Sequence, residues 1–138
     1  MSRYCLDTSA YSQFKRADPR IVELIDTADW IGMPATVLGE LWTGFLQGDR
    51  LQRNTAELAE FLANPVVEEL VVDGDVSRVY AEIVVALRRA GTPLPTNDIW
   101  IAAAAARAGA TVLTYDPHFS AIQRVGSIVL PLPTASTG

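Results

Sequence analysis

The chain has 138 residues with 49% hydrophobic and 20% charged content, 16 Asp and Glu against 11 Lys and Arg, and a formal net charge of −5. That suits one globular domain able to bury roughly two thirds of its unfolded surface, and a pI near 4.7 excludes a protein that grips nucleic acid by bulk positive charge. A single cysteine (Cys5) and a single histidine (His118) exclude an intrachain disulfide framework, a thiolate zinc site and any multi-histidine metal site.

Residues 3–6 read as a first strand with Cys5 as a small core residue, ending at Asp7-Thr8-Ser9, where a helix can start. Asp18-Pro19 is an N-cap followed by proline at the first helical position, opening a helix to about residue 28. Residues 30–33 form a second strand, and Pro34 starts a helix to Gln47 that stops at Gly48. Asp49 is expected to cap a helix to about residue 63, closed by Asn64-Pro65. The β-branched run 66–72 is a third strand. Residues 75–90 are helical, with Arg88-Arg89 in the last turn and Gly91 as the stop. A helix over 97–108, a strand over 111–114 and a strand over 127–130 complete the pattern. From about residue 131 a Pro/Ser/Thr-rich tail follows, and the whole, 1–138, reads as one domain.

Strands alternating with helices imply a three-layer α/β/α domain around a central five-stranded, mostly parallel sheet. The 97–108 helix is apolar nearly all round and should be buried, its alanines lying close to the sheet. With no apolar leader visible and no run long enough to span a bilayer, a cytoplasmic location is expected.

Ligands in such folds bind outside the carboxyl ends of the strands. Asp7 follows the first strand and Asp116 the fourth, Asp98 opens the helix leading into the fourth, and Glu40 lies in the first two turns after the second. Alone, Asp7, Asp98 and Asp116 are each explained as a helix cap or first-turn acid stabilising by about 1 kcal/mol, and Glu40 as a solvated helix residue. Together they need a cation or protons, because like charges about 4 Å apart repel by roughly 4 kcal/mol at an effective dielectric of 20. Hard divalent ions, Mg²⁺ or Mn²⁺, take such oxygen ligands. A site of this kind suits phosphodiester hydrolysis, which needs neither a covalent nucleophile nor a catalytic histidine. Gly39 and Gly44 beside Glu40 suggest a close backbone or ligand approach.

At these residues the sequence resembles the PIN-domain ribonucleases, and most closely the VapC toxins of bacterial toxin–antitoxin pairs. Four blocks carry the resemblance: Tyr4-Cys5-Leu6-Asp7-Thr8-Ser9-Ala10, Val37-Leu38-Gly39-Glu40-Leu41, Pro95-Thr96-Asn97-Asp98-Ile99-Trp100-Ile101-Ala102-Ala103 and Leu113-Thr114-Tyr115-Asp116-Pro117-His118-Phe119. The resemblance implies a PIN-like fold, homodimers, and Mg²⁺- or Mn²⁺-dependent endonucleolytic cleavage of RNA, often transfer or ribosomal RNA. It also implies neutralisation by a small VapB-type antitoxin. The family's four acids fall on Asp7, Glu40, Asp98 and Asp116. Thr8 and Thr114 match hydroxyl positions that orient the acids, and Asn97 a polar neighbour of the third.

Weaker candidates are His118 as a substrate contact or acid/base, Trp42 and Trp100 as base-stacking or packing residues, and Arg88-Arg89 as phosphate contacts. Two other readings stand beside the metal-dependent endoribonuclease. One is a phosphotransfer or phosphatase domain with Asp7 as nucleophile, which would need an active-site lysine where only Lys15 exists; the other is a catalytically inactive binding module. If the four acids form a metal cluster, twelve acids face 11 basic residues in the rest of the chain, nearly in balance.

Overall fold

The computed structural model describes residues 1–134; the end of the expected tail, 135–138, lies outside the described residues. β1 (Arg3–Leu6) is followed by α1 (Thr8–Lys15) and α2 (Pro19–Asp26), then β2 (Trp30–Pro34), α3 (Ala35–Gln47), α4 (Leu51–Leu62) and β3 (Val67–Leu70). The chain continues through α5 (Gly74–Ala90), α6 (Thr96–Arg107), β4 (Thr111–Thr114), a 3₁₀ turn (Pro117–Ala121) and β5 (Ser127–Val129). The sheet order is β3-β2-β1-β4-β5, and all four neighbouring pairs are parallel. The sheet expected to be mostly parallel is therefore wholly so, as the helical crossovers require.

The chain first winds from β1 outward to β3, then returns over the sheet to β4. Right-handed crossovers consequently put α1–α4 on one face and α5–α6 on the other. The direction of winding reverses between β1 and β4, which is the switch point where a crevice opens above the strand ends. As expected, α6 is buried: Ala102, Ala103 and Ala105 have no exposed surface. Its Trp100 stacks on Tyr80 of α5 with ring centroids 3.8 Å apart, so that indole packs rather than offering a face to a base. Cys5 is fully buried in the core.

One small clamp ties three strands together. Gly32 in β2 leaves room for the Trp30 ring, since a Cβ there would meet Trp30 Cη2 at 2.6 Å and Leu70 Cδ1 at 2.8 Å. The Trp30 indole N–H donates to Glu68 Oε2 of β3 at 2.9 Å. Arg3 of β1 lies 4.2 Å over the same ring, a cation–π contact, and donates to the Ala108 carbonyl.

Several boundaries differ from the sequence reading. The third strand ends at Leu70, and Val71 and Val72 beyond it are exposed, with no apolar surface to hold them in the sheet. Asp73 caps α5 by accepting from the Val76 N–H at 3.0 Å, so the helix begins at Gly74, one residue before the expected start. Asp49 caps nothing: Arg50 occupies the N-cap of α4, without a side-chain bond. Asp18 does hold the N-cap position of α2, but its carboxylate accepts from the Tyr115 hydroxyl at 2.5 Å instead of from α2. Leaving that buried phenol unbonded would cost about 1–3 kcal/mol. Gly91 ends α5 in the left-handed conformation at φ 71°, as a C-terminal stop should. No helix among the described residues is long and apolar enough to cross a membrane.

Candidate active site

Asp7 leaves β1 at the switch point and becomes the N-cap of α1. Its Oδ1 accepts from the Ala10 N–H at 2.8 Å and the Ser9 hydroxyl at 2.7 Å, and its Oδ2 from the Thr114 hydroxyl at 2.5 Å. Thr114, the last residue of β4, is fully buried and its Oγ1 also accepts from the Asp116 N–H at 2.9 Å. One hydroxyl thus ties the acid after β1 to the acid after β4. Ser9 repeats the link, since its Oγ accepts from the Tyr115 N–H at 3.0 Å. Across the crevice, Thr8 of α1 donates to Glu40 Oε1 of α3 at 2.7 Å. Both threonines are where the sequence suggested, each orienting one carboxylate.

Asp116 caps the 3₁₀ turn by accepting from the His118 N–H at 2.9 Å, which brings the imidazole back over the site. His118 Nδ1 lies 3.2 Å from Asp116 Oδ1 and 3.8 Å from Asp98 Oδ2. One donor atom from each of Asp98, Asp116 and His118 fits within 4.8 Å of the others. His118, a minor candidate in the sequence, is the residue that reading underweighted. The signal was available: Asp-Pro opens a tight turn that carries a residue two positions on back beside the aspartate. Asn97, in contrast, is exposed and makes no side-chain hydrogen bond among the described residues. Arg88 and Arg89 are exposed in the last turn of α5, where the helix dipole already favours cations. A Cβ at Gly39 or Gly44 would meet nothing within 4 Å, so no close backbone approach is present at those glycines.

The electrostatics are those of a crowded anionic site. Burial pushes the Asp98 carboxyl above its usual value, and the charges of Asp116, Asp7 and Glu40 push the same way, against His118. Asp7 is also raised, chiefly by burial, while the bonds from Thr114, Ala10 and Ser9 oppose the rise. The four acids therefore feel one another, although only Asp98 and Asp116 share the tight cluster with His118. Lys15 stands at the far end of α1, 3.9 Å from Glu57 of α4. An aspartate-based phosphotransfer site lacks its cation here.

A sequence model described as the PIN domain matches residues 4–125. The chain belongs to the PIN-domain family. Within that family it is 34% identical over 102 residues to Ribonuclease VapC4 of Mycobacterium tuberculosis, covering 74% of this chain and 78% of that one. This PIN domain is therefore of the VapC type. Its fold matches the DNA-bound VapBC of Salmonella typhimurium at TM-score 0.81 and 25% identity, over 94% of this chain and 98% of that one. VapBC-5 of Mycobacterium tuberculosis, a member of the VapBC family of toxin–antitoxin systems, matches at TM-score 0.72 and 28% identity, over 94% of this chain and the whole of that one.

Proposed function

We propose that this PIN domain is a divalent-metal-dependent endoribonuclease, the toxin of a type II toxin–antitoxin pair, acting in the cytoplasm on transfer or ribosomal RNA. The observation that carries the reading is the acidic crevice between β1 and β4, where burial, and with it the charges of Asp116, Asp7 and Glu40, raise the Asp98 carboxyl. Mg²⁺ or Mn²⁺ fits this donor set, because hard oxygen donors dominate it and the crowded negative charge calls for a compensating cation. Asp98 and Asp116 would hold the ion, with Asp7 and Glu40 completing the acidic wall. When bound, the ion supplies water activation and charge stabilisation at a phosphodiester.

The chain's own residues supply orientation. Asp7 cannot swing, since both its oxygens accept bonds from Ser9, Ala10 and Thr114. Glu40 is fixed by Thr8, and Asp116 by its cap of the 3₁₀ turn. Such fixed carboxylates hold their geometry without reorganising during reaction. The VapBC assemblies among its structural relatives support a VapB-type antitoxin as partner, and the VapC resemblance supports a homodimer.

The test is incubation of purified protein with transfer RNA and ribosomal RNA in Mg²⁺ or Mn²⁺, with mapping of the new ends. Discrete cuts that vanish in EDTA are expected. Intact RNA in every arm would instead favour an inactive binding module.

A further inference from the structure

An acidic protein that acts on RNA still needs somewhere to hold the phosphates. Beside the carboxylates, α1, α3 and α4 enclose an open cleft of about 360 Å³. Lys15, Arg16 and Arg53 line it, and Glu57 is the one acid on its walls. Glu57 lies 3.9 Å from both Lys15 Nζ and Arg53 Nε, and Arg16 has no ion pair among the described residues. The cleft thus carries a surplus of two positive charges in a chain of net charge −5.

Tyr11 also lines the cleft. Its ring is 3% exposed, and its hydroxyl is buried with no hydrogen-bond partner among the described residues. An unmade bond of this kind costs about 1–3 kcal/mol. Burial and the charge of Glu57 push this phenol up to about 12, so the hydroxyl stays a donor at any ordinary pH. Phe45 of α3, half-buried, adds an aromatic wall. Cations beside an aromatic surface are the combination that holds single-stranded nucleic acid.

The position relative to the carboxylates decides what enters. Asp7 caps α1, the Tyr11 N–H donates to the Asp7 carbonyl, and Leu41 on the cleft wall directly follows Glu40. At 1.5 Å per helical residue, Lys15 lies about 12 Å beyond Asp7, a reach of a few nucleotides. We propose that this cleft binds the phosphate backbone of RNA on one side of the scissile bond, with Lys15, Arg16 and Arg53 as phosphate contacts and the Tyr11 hydroxyl as a further donor. The inference rests on the ribonuclease reading and names where its substrate is held.

The experiment is fluorescence anisotropy with a labelled single-stranded oligoribonucleotide in EDTA, which measures binding with cleavage blocked. The Lys15→Gln/Arg16→Gln/Arg53→Gln protein is expected to bind at least tenfold more weakly than wild type, with the slope of log Kd against log salt reduced by about two. Tyr11→Phe is expected to bind about threefold or more weakly with an unchanged salt slope, yet to melt no lower than wild type, since it removes an unbonded hydroxyl. Mn²⁺ binding by calorimetry should be the same in all these proteins, which shows that the carboxylate site and the fold persist. RNA affinity equal in wild type and the triple variant, or absent from both, overturns the proposal. So does selective loss of a polyglutamate probe with RNA binding retained, which would assign the cleft to an acidic protein segment. Because binding is read without cleavage, failure of the nuclease reading and failure of this one are distinguishable.

Discussion

Replacing Asp98 by Asn removes one charge from the acidic crevice while keeping the side chain's size. At 4.8 Å, the span of the Asp98–Asp116–His118 cluster, two carboxylates repel by about 3 kcal/mol at an effective dielectric of 20. Against this, Asp98 lies in the first turn of α6, where an acid gains about 0.5–1 kcal/mol from the helix dipole. The metal-free variant should therefore be more stable than wild type by about 2 kcal/mol at pH 8 and low salt. For a domain of this size that raises Tm by about 6–10 °C. The sign with pH follows from Asp98 being raised above its ordinary value of 3.8. Below that value both proteins carry an uncharged group at position 98 and melt alike. As pH rises through the raised value, wild type loses stability relative to the variant, and the gap opens. Mg²⁺ or Mn²⁺ should close it, because an ion at a hundred times its Kd stabilises wild type by about 2.7 kcal/mol and the variant by much less. Thermal melts from pH 3 to 8, with EDTA and with metal, read all of this. A metal-free variant that melts at or below wild type at pH 8, with a gap that ignores pH, would refute the electrostatic argument.

Other outcomes follow from single contacts. Thr114→Val removes the donor to Asp7 and the acceptor of the Asp116 N–H, so it should cost about 3 kcal/mol, a fall of roughly 10 °C in Tm, and weaken metal binding. Gly32→Ala should destabilise by about 1–3 kcal/mol, because its Cβ has no room beside Trp30 and Leu70; denaturant melts check it. Tyr115→Phe leaves Asp18 without its phenol donor and should lower stability by about 1.5–3 kcal/mol without altering metal affinity, as melts beside a Mn²⁺ titration will show.

The placement of Asp7, Asp98 and Asp116 could be read from the chain because it depends only on topology: each adjoins an element end that parallel winding must bring to one edge. Thr8 and Thr114 came instead from the resemblance to the PIN-domain ribonucleases, whose hydroxyl positions they match. What the chain does not announce are pairings that only tertiary packing makes. The Asp18–Tyr115 bond joins positions 97 residues apart, and a dipeptide such as Asp-Pro reads equally well as an ordinary cap. Asp49 failed as a cap because Arg50 took the position at the start of α4. The cationic cleft was hidden more deeply. Net charge is a sum, and Lys15 and Arg16 of the first helical segment meet Arg53 only when α1 and α4 pack. The unbonded Tyr11 hydroxyl likewise has no signature in sequence.

The central claim is that the acidic crevice of Asp7, Glu40, Asp98 and Asp116 takes a divalent metal, with Asp98 and Asp116 as its holders. Calorimetric titration of Mn²⁺ into the purified protein tests it most directly. Saturable binding is predicted for wild type, weakened at least tenfold by Asp98→Asn and by Asp116→Asn. Equal Mn²⁺ affinity in wild type and both variants would contradict it.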